Sequence, residues 1–516
     1  MNLFCRSYFI AMPKTFYVTT PIYYVNGKPS IGHAYTAIAA DILARYHRML
    51  GEDVLFQTGT DENSQKNIEA ARAAGKEDDV QGYLNEMAAL WQRTFDSLGL
   101  THTRFIRTTE ADHLAAVKAF WKAVEAKGDI YQGTYEGLYC QGCEAFVTEA
   151  DLVNRECPLH KKPPLQLKEK NYFFRLTRYQ DALLEHIGKH PKFIQPESRR
   201  NEVLSYIRNF FSDVSISRET MKWGIQVPTD PSQRIYVWFD ALINYISGVG
   251  YGTDEKQFNT WWPAQVHLVG KDIIKFHCAL WPAMLMSAGL PLPETVFANG
   301  FWTVDGQKMS KSLGNVVDPV EMAEQYGNDP LRYFLMREIP FGSDGDFSEA
   351  RLAGRYDGDL ANEFGNLVHR VLSMTEKYTD STVPERADGF LTGVWPAYHL
   401  AMQECRLHDA LEIAWNVVRQ TNQFVDQQQP WTLAKMEEKK MLHETLYILL
   451  ETLRHLAWML FPFLPSASER LFEQLGLAVP KEFSQSFESA WVWGEMQPGS
   501  KIKKGEPLFP RREPSI

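Results

Sequence analysis

The sequence predicts an α/β protein in which a doubly wound parallel sheet is split by an insert and followed by an all-α bundle. Three features predict it. Short β-branched and aromatic runs alternate with helical stretches over residues 13–124 and return over 233–303, the alternation that builds βαβ units. The intervening 125–232 changes character, gaining aromatics, paired cysteines and a proline-rich stretch at 158–164. After a connecting stretch at 304–360, residues 361–516 carry apolar side chains at helical spacing.

Taken in order, Thr15-Phe16-Tyr17-Val18-Thr19-Thr20 reads as a strand ending at Pro21. A loop with Gly27 and Pro29 leads to Ser30-Ile31-Gly32-His33. From 34 to 50 the pattern is helical, with Gly51 placed as its C-terminal cap. Val54-Leu55-Phe56-Gln57-Thr58 is the next strand, so the two strands should be parallel with a right-handed crossover. Past the insert, further strands are predicted at 235–239, 266–269 and 295–298. Polar and aromatic residues collect after these strands: 30–33, Asp61, 240–245 and 271–277. Ligands in open α/β sheets bind outside the carboxyl ends of the strands. The sheet alone therefore predicts one shared pocket.

Composition sets limits. A chain of 516 residues with 44% hydrophobic and 13% aromatic residues is a soluble globular protein of more than one domain. The most apolar stretch, 442–464, is interrupted by Glu444, Glu451, Arg454 and His455. It reads as a buried bundle helix and not as a membrane span. Near the N-terminus, Arg6 and the short apolar Tyr8-Phe9-Ile10 make too brief a run for a signal peptide. A net charge of −10 excludes a globally basic nucleic-acid binder. Any RNA contact must use local patches such as Lys161-Lys162, Arg199-Arg200 or the 501–512 tail. Six cysteines without a secretory context argue against disulfides and fit a cytoplasmic location.

Two motifs carry chemistry. Lys308-Met309-Ser310-Lys311-Ser312 sets two lysines and two serine hydroxyls between Gly306 and Gly314. Such a loop can fold over a polyphosphate and move away afterwards. A bare KxxK pattern would read as a solvated basic loop; the full string, with the βαβ unit upstream, is more specific. In that unit Gly32 lets the backbone approach a ligand, and His33 sits near a helix start that favours phosphate. Cys140-x2-Cys143 and Cys157-x2-His160 are separated by thirteen residues. Four soft ligands in two short-spaced pairs suit a closed, structural, tetrahedral zinc site.

Residues 30–33 and 308–312 together resemble the HIGH and KMSKS signatures of class I aminoacyl-tRNA synthetases, with Ser30 in place of the first histidine. This resemblance implies ATP binding by Ser30, Gly32, His33, Lys308 and Lys311, with His33, Lys308 and Lys311 catalytic. Longer strings narrow it. Tyr17-Val18-Thr19-Thr20-Pro21-Ile22-Tyr23-Tyr24, Gly59-Thr60-Asp61-Glu62, Val237-Trp238-Phe239-Asp240-Ala241 and Gly270-Lys271-Asp272-Ile273-Ile274-Lys275-Phe276-His277 resemble the methionyl-tRNA synthetase family over about residues 13–510. Because the similarity begins near Pro13, Met12 is an alternative start. Where that family continues Asp-Glu-His-Gly, this chain has Asn63-Ser64.

The resemblance implies a Rossmann-like catalytic domain at 13–124 and 233–303, an inserted zinc-knuckle domain at 125–232, a KMSKS and stem-contact region at 304–360, and a helical anticodon-binding domain at 361–516. It implies a methionine pocket of Tyr24, Asp61, Trp238, Ala241, Leu242, Tyr245, Asp272, Ile273 and His277. There Asp61 would bind the substrate ammonium, and Arg218 would hold Asp272. A thioether is polarisable and favours aromatic edges, which suits such a lining. Asn366, Arg370 and Trp431 match the family's anticodon readers, and Trp can stack on an unpaired base. The implied substrates are L-methionine, ATP with Mg2+, and tRNA(Met), including the initiator; one structural Zn2+ is implied, and no membrane. A monomer is expected, because relatives that dimerise do so through an added C-terminal domain and six residues follow Pro510 here.

On pattern alone several of these residues have plainer readings. His33 is an ordinary helix-start histidine, Trp238, Tyr245 and Ile273 are sheet core, and Asn366, Arg370 and Trp431 are surface and packing residues. Rival functions are a sister synthetase for another apolar amino acid, a catalytically silent paralogue that senses methionine or tRNA, and a zinc-knuckle RNA-binding protein. The first needs an editing insert where this chain has its cysteine pairs. Intact Lys308 and Lys311 oppose the second. The third leaves the sheet-end pocket unexplained.

Overall fold

The computed structural model describes residues 15–158, 160–304, 306–309, 314–389, 391, 393–480 and 491–512. Two compact units divide the chain: Met1–Pro29 with Val54–Asn299, and Ser30–Asp53 with Gly300–Ile516.

The first unit is built on a six-stranded sheet. Its strands are β1 (Thr15–Tyr24), β2 (Asp53–Asp61), β3 (Arg104–Arg107), β4 (Ile194–Gln195), β5 (Val266–Gly270) and β6 (Thr295–Asn299), in the order β3-β2-β1-β5-β6-β4. The pairs β2–β3, β1–β5, β5–β6 and β6–β4 are parallel, as predicted. The order reverses at β1, so the crevice past the carboxyl ends of β1 and β5 is the topological switch point where such sheets bind ligands. β1 does not stop at Pro21 but continues to Tyr24. Its register with β5, Val18↔Val266 and Thr19↔His267, lies upstream of Pro21, so the missing N–H costs that ladder nothing.

The predicted strand at 235–239 is not one. Asp230–Ile235 pairs antiparallel with Ser217–Arg218 and Gln226–Val227 in a small separate sheet, and Val237–Leu242 is a helix. Val237, Phe239, Ala241 and Leu242 are all buried. A short apolar run with no polar face carries no period that separates buried strand from buried helix. Residues 240–245 therefore belong to the helical segments Val237–Leu242 and Asn244–Ser247 and do not follow a strand. Phe239 packs edgewise on Trp121 and Phe120 in the main core. The cysteine-bearing stretch forms a four-stranded antiparallel sheet of Ile130–Cys140, Ala145–Val147, Leu165–Phe174 and Val214–Ser215.

In the second unit the 31–49 segment is helical from Ile31, three residues before the predicted start, because Ser30 takes the N-cap. Leu50 and Gly51 (φ +78°) end it, as the glycine predicted. This helix is buried on most of its surface. Asp41 holds Arg45 at 2.7 Å and Arg332 at 2.8 Å. Arg332 also donates to the carbonyls of Phe463 and Pro462, and the Tyr46 hydroxyl bonds His399 Nδ1 at 2.8 Å. Helices Asn366–Thr379, Leu407–Gln428, Lys439–Leu460 and Pro465–Gln474 make the predicted all-α bundle. Leu360, Phe364, Leu367, Val368, Val371 and Leu372 form its buried face. Among the described residues, no helix is long and apolar enough to cross a membrane.

Candidate functional site

The predicted amino-acid pocket lies in the first unit, around the carboxyl ends of β1, β2 and β5 and the helix Val237–Leu242. Its fixed point is a neutral pair. His277 Nδ1–H donates to the Ile273 carbonyl at 2.9 Å, so Nε2 is left to accept from the Tyr245 hydroxyl at 2.7 Å. Burial pulls the His277 pKa down to about 4, so the imidazole is uncharged at neutral pH. His277 sits in a π-helical turn, Phe276–Leu280, a rare geometry that recurs at functional sites. Trp238 stacks on Phe276 with centroids 4.0 Å apart and presents its edge to His277. Ala241 and Leu242 are buried beside it on the same helix, and Ile273 is half-buried. Aromatic faces, small apolar groups and uncharged polar tips are the chemistry that suits a neutral, polarisable side chain.

Asp61 ends β2 at 2% exposure. Burial first, then the nearby carboxylates of Asp240 and Glu144, raises its pKa well above the ordinary range. A cation against Asp61 would relieve both terms. Asp240 accepts from His113 Nε2 and Asn63 Nδ2, each at 2.8 Å. Glu144 accepts from the Ser64 hydroxyl at 2.9 Å and the Lys66 backbone N–H at 3.3 Å. Asn63-Ser64, where the family has His-Gly, thus tie the Asp61 loop to both neighbouring carboxylates. Burial and Glu144 raise the pKa of Tyr24, whose ring lies under the Lys66 ammonium at 4.7 Å. Glu144 and the stacking of Phe276 on Trp238 escaped sequence reasoning, since neither has a pattern of its own.

One expected pairing is corrected. Arg218 binds Glu169 at 2.8 and 3.2 Å over the Tyr139 ring, while Asp272 is exposed in the turn Lys271–Ile273. Glu169 comes from the middle of the 165–174 strand, and only the register of that sheet brings it to Arg218.

The four soft ligands do converge. Cys140 ends one strand and Cys143 lies in the turn after it; Cys157 and His160 come from the next loop. Their ligand atoms all lie within 4.8 Å of one another. Cys143 Sγ is 3.6 Å from Cys157 Sγ and 3.4 Å from His160 Nδ1. Ligands about 2.3 Å from a tetrahedral centre lie about 3.8 Å apart, so the set fits a metal ion. A Cβ on Gly142 would strike the His160 ring at 2.4 Å, so glycine is required for the approach.

In the second unit, Ser30 caps the helix Ile31–Met49. Its backbone N–H donates to His33 Nδ1 at 2.9 Å, with its hydroxyl 3.0 Å from the same atom. Accepting at Nδ1 places the proton of the neutral ring on Nε2. An added Cβ on Gly32 meets Ser30 Oγ at an ordinary 3.8 Å, and the Ile31 N–H of the helix start donates to the Val317 carbonyl at 3.1 Å. Lys308 lies on the short strand Gln307–Lys308, its backbone opposite Thr303. Its side chain, and all of Ser310, Lys311 and Ser312, lie outside the described residues. Farther along, Arg370 bonds Asp426 at 3.0 Å and lies over the Trp431 ring at 6.0 Å, with Trp431 37% exposed. Asn366 is exposed one turn before Arg370. The sequence reading that Pro430-Trp431 ends a polar loop after a helix is corrected. Trp431 sits in the helix Pro430–Lys435, joined to Leu407–Gln428 by Gln429 alone.

The family described as tRNA synthetases class I (M) matches residues 16–163 and 147–372. The methionine–tRNA ligase of Thermotoga maritima is 46% identical over 507 residues, covering 96% of this chain and 80% of that one. That of Rickettsia conorii is 42% identical and covers 97% and 100%. Among solved structures, the Mycobacterium tuberculosis methionyl-tRNA synthetase in complex with methionyl-adenylate superposes with a TM-score of 0.91 at 41% identity, covering 97% of this chain and all of that one. Its apo form gives 0.84 at 38%. Likeness of this extent, in sequence and in three dimensions and over nearly the whole length, places the chain in the methionyl-tRNA synthetase family.

Proposed function

We propose that the protein couples L-methionine to tRNA(Met), initiator included, through a methionyl-adenylate made from ATP accompanied by Mg2+. The observation that carries this reading is the buried Asp61 carboxyl, its pKa raised by burial and then by Asp240 and Glu144, in the same unit as Trp238, Tyr245 and the neutral His277. The methionine carboxylate attacks the α-phosphorus of ATP as its P–O bond to pyrophosphate breaks. A terminal ribose hydroxyl of the tRNA then attacks the mixed-anhydride carbonyl, releasing AMP. The nucleophile belongs to the substrate, so the chain's task is positioning and charge stabilisation. Asp61 orients the amino group and Trp238, Ala241, Leu242, Tyr245 and Ile273 the side chain. His33 Nε2–H, Lys308 and Lys311 act on the phosphates. Methionine-dependent exchange of pyrophosphate into ATP is expected, together with charging of tRNA(Met); absence of exchange with folded protein refutes the reading.

Cys140, Cys143, Cys157 and His160 are proposed to hold one structural Zn2+. Elemental analysis is expected to find about one zinc per chain, the stoichiometry of a closed four-ligand site. Metal-free protein with an unchanged melting temperature would count against it.

Asn366, Arg370 and Trp431 are proposed to read the anticodon, by stacking and by hydrogen bonds to base edges. Stacking on an aromatic ring contributes about 1–3 kcal/mol per base. Trp431→Ala is expected to lower tRNA charging about tenfold to a hundredfold and leave pyrophosphate exchange without tRNA near wild type. Equal losses in both assays would make Trp431 a packing residue.

A further inference from the structure

We propose that His267, seated by Thr19, is a positioning residue for the amino-acid pocket: it holds the Tyr245 ring, and with it the Tyr245–His277 pair, at the setting that accepts the substrate side chain. The inference rests on the methionine reading above. Thr19 on β1 and His267 on β5 are register partners in a parallel ladder, so their side chains leave the same face of the sheet. Thr19 Oγ1 and His267 Nδ1 are 2.7 Å apart. The fully buried imidazole lies with its centroid 4.2 Å from that of Tyr245, the planes 31° apart. Trp262 stands 6.0 Å from the same imidazole. Two residues before Thr19, on the same face, Tyr17 donates its hydroxyl to the Tyr245 carbonyl at 2.8 Å. The sheet thus holds Tyr245 twice, its backbone through Tyr17 and its ring through His267. The Tyr245 hydroxyl in turn bonds His277 Nε2 at 2.7 Å.

His267 is an expensive choice for this place. Its Nε2 has no hydrogen-bond partner among the described residues, and burial, with His277 nearby, keeps the ring uncharged. A half-satisfied imidazole in an apolar core is a local rule broken, and such breaks gather at functional sites. The imidazole supplies two things that a leucine would not: a flat face for Tyr245, and a nitrogen whose bond to Thr19 fixes the rotation of that face.

The test is steady-state pyrophosphate exchange on wild type, His267→Ala, Thr19→Val and His267→Phe. His267→Ala is expected to raise the methionine KM about tenfold, with kcat and the ATP KM near wild type. The preference for methionine over norleucine in kcat/KM should fall with it, a readout that general destabilisation does not move. Thr19→Val, which removes the hydrogen bond and keeps the ring, should raise the methionine KM by a smaller factor. His267→Phe, which keeps a flat face, should recover most of the loss. An unchanged methionine KM in His267→Ala, or equal rises for methionine and ATP, would overturn the proposal. If His267→Ala does not fold, an unchanged methionine KM in Thr19→Val overturns it instead. Wild type without methionine-dependent exchange would sink the reaction reading and not this one. The positioning role is then judged by direct methionine titration of the same variants, where undiminished binding by His267→Ala overturns it.

Discussion

Lys311→Ala is expected to slow methionine-dependent pyrophosphate exchange about a hundredfold to a thousandfold, the usual cost of losing one transition-state charge stabiliser. Methionine affinity should stay near wild type. Negative charge grows on the bridging oxygen only as the α–β bond breaks, so a lysine on the polyphosphate contributes chiefly at the transition state. Its removal should lower kcat and leave the methionine KM alone. Rapid-quench measurement of adenylate formation separates this from slow product release. A variant that loses methionine binding in step with rate, or that loses no rate, would end the assignment of the 308–312 loop to catalysis.

The second large effect belongs to Asp61. Asp61→Asn is expected to raise the methionine KM about a hundredfold or more, because a buried ammonium loses its charged partner. The melting temperature should not fall. Burial and the charges of Asp240 and Glu144 already disfavour the ionised carboxylate, so an uncharged amide of the same shape removes a repulsion. The same physics sets a pH dependence. Glu62 adds a weaker like charge, while the Asn63 backbone N–H opposes the rise. The ionised form binds the ammonium, so the wild-type methionine KM should climb as pH falls, beginning well above the ordinary carboxylate range. In Asp61→Asn that climb should be absent. A variant with normal methionine binding, or with a markedly lower melting temperature, would make Asp61 a structural residue.

Much of the fold could be read from the chain, and the failures have physical causes. Strands β1, β5 and β6, the capped helix after Ser30 and the bundle face from Leu360 to Leu372 all announce themselves by period and by cap. The paired spacing of Cys140, Cys143, Cys157 and His160 is a local pattern, and the structure closes it into one cluster. Residues 235–239 misled because a run apolar on all sides has no period to read. Arg218 misled because its partner, Glu169, is set by strand register and not by any string. Register also hides His267, which is one more apolar-strand residue until β1 and β5 are laid side by side. Asn63 and Ser64 stood out only as departures from a family pattern; their bonds to Asp240 and Glu144 required coordinates.

The helix that begins at Ser30 has a consequence in time. Tyr46 and His399 are 353 residues apart in the chain. A ribosome adding 5–20 residues per second makes the first of them about 18 to 70 s before the second. Arg332, and the carbonyls of Pro462 and Phe463 that fix it, are also made late. Through that interval the Tyr46 hydroxyl lacks His399, and the buried Asp41 carboxylate lacks Arg332. The signature helix is thus among the first segments synthesised and among the last to be secured. A nascent chain stalled before residue 332 holds Asp41 with Arg45 alone, and the second half of that buried ion cluster waits for the rest of the chain.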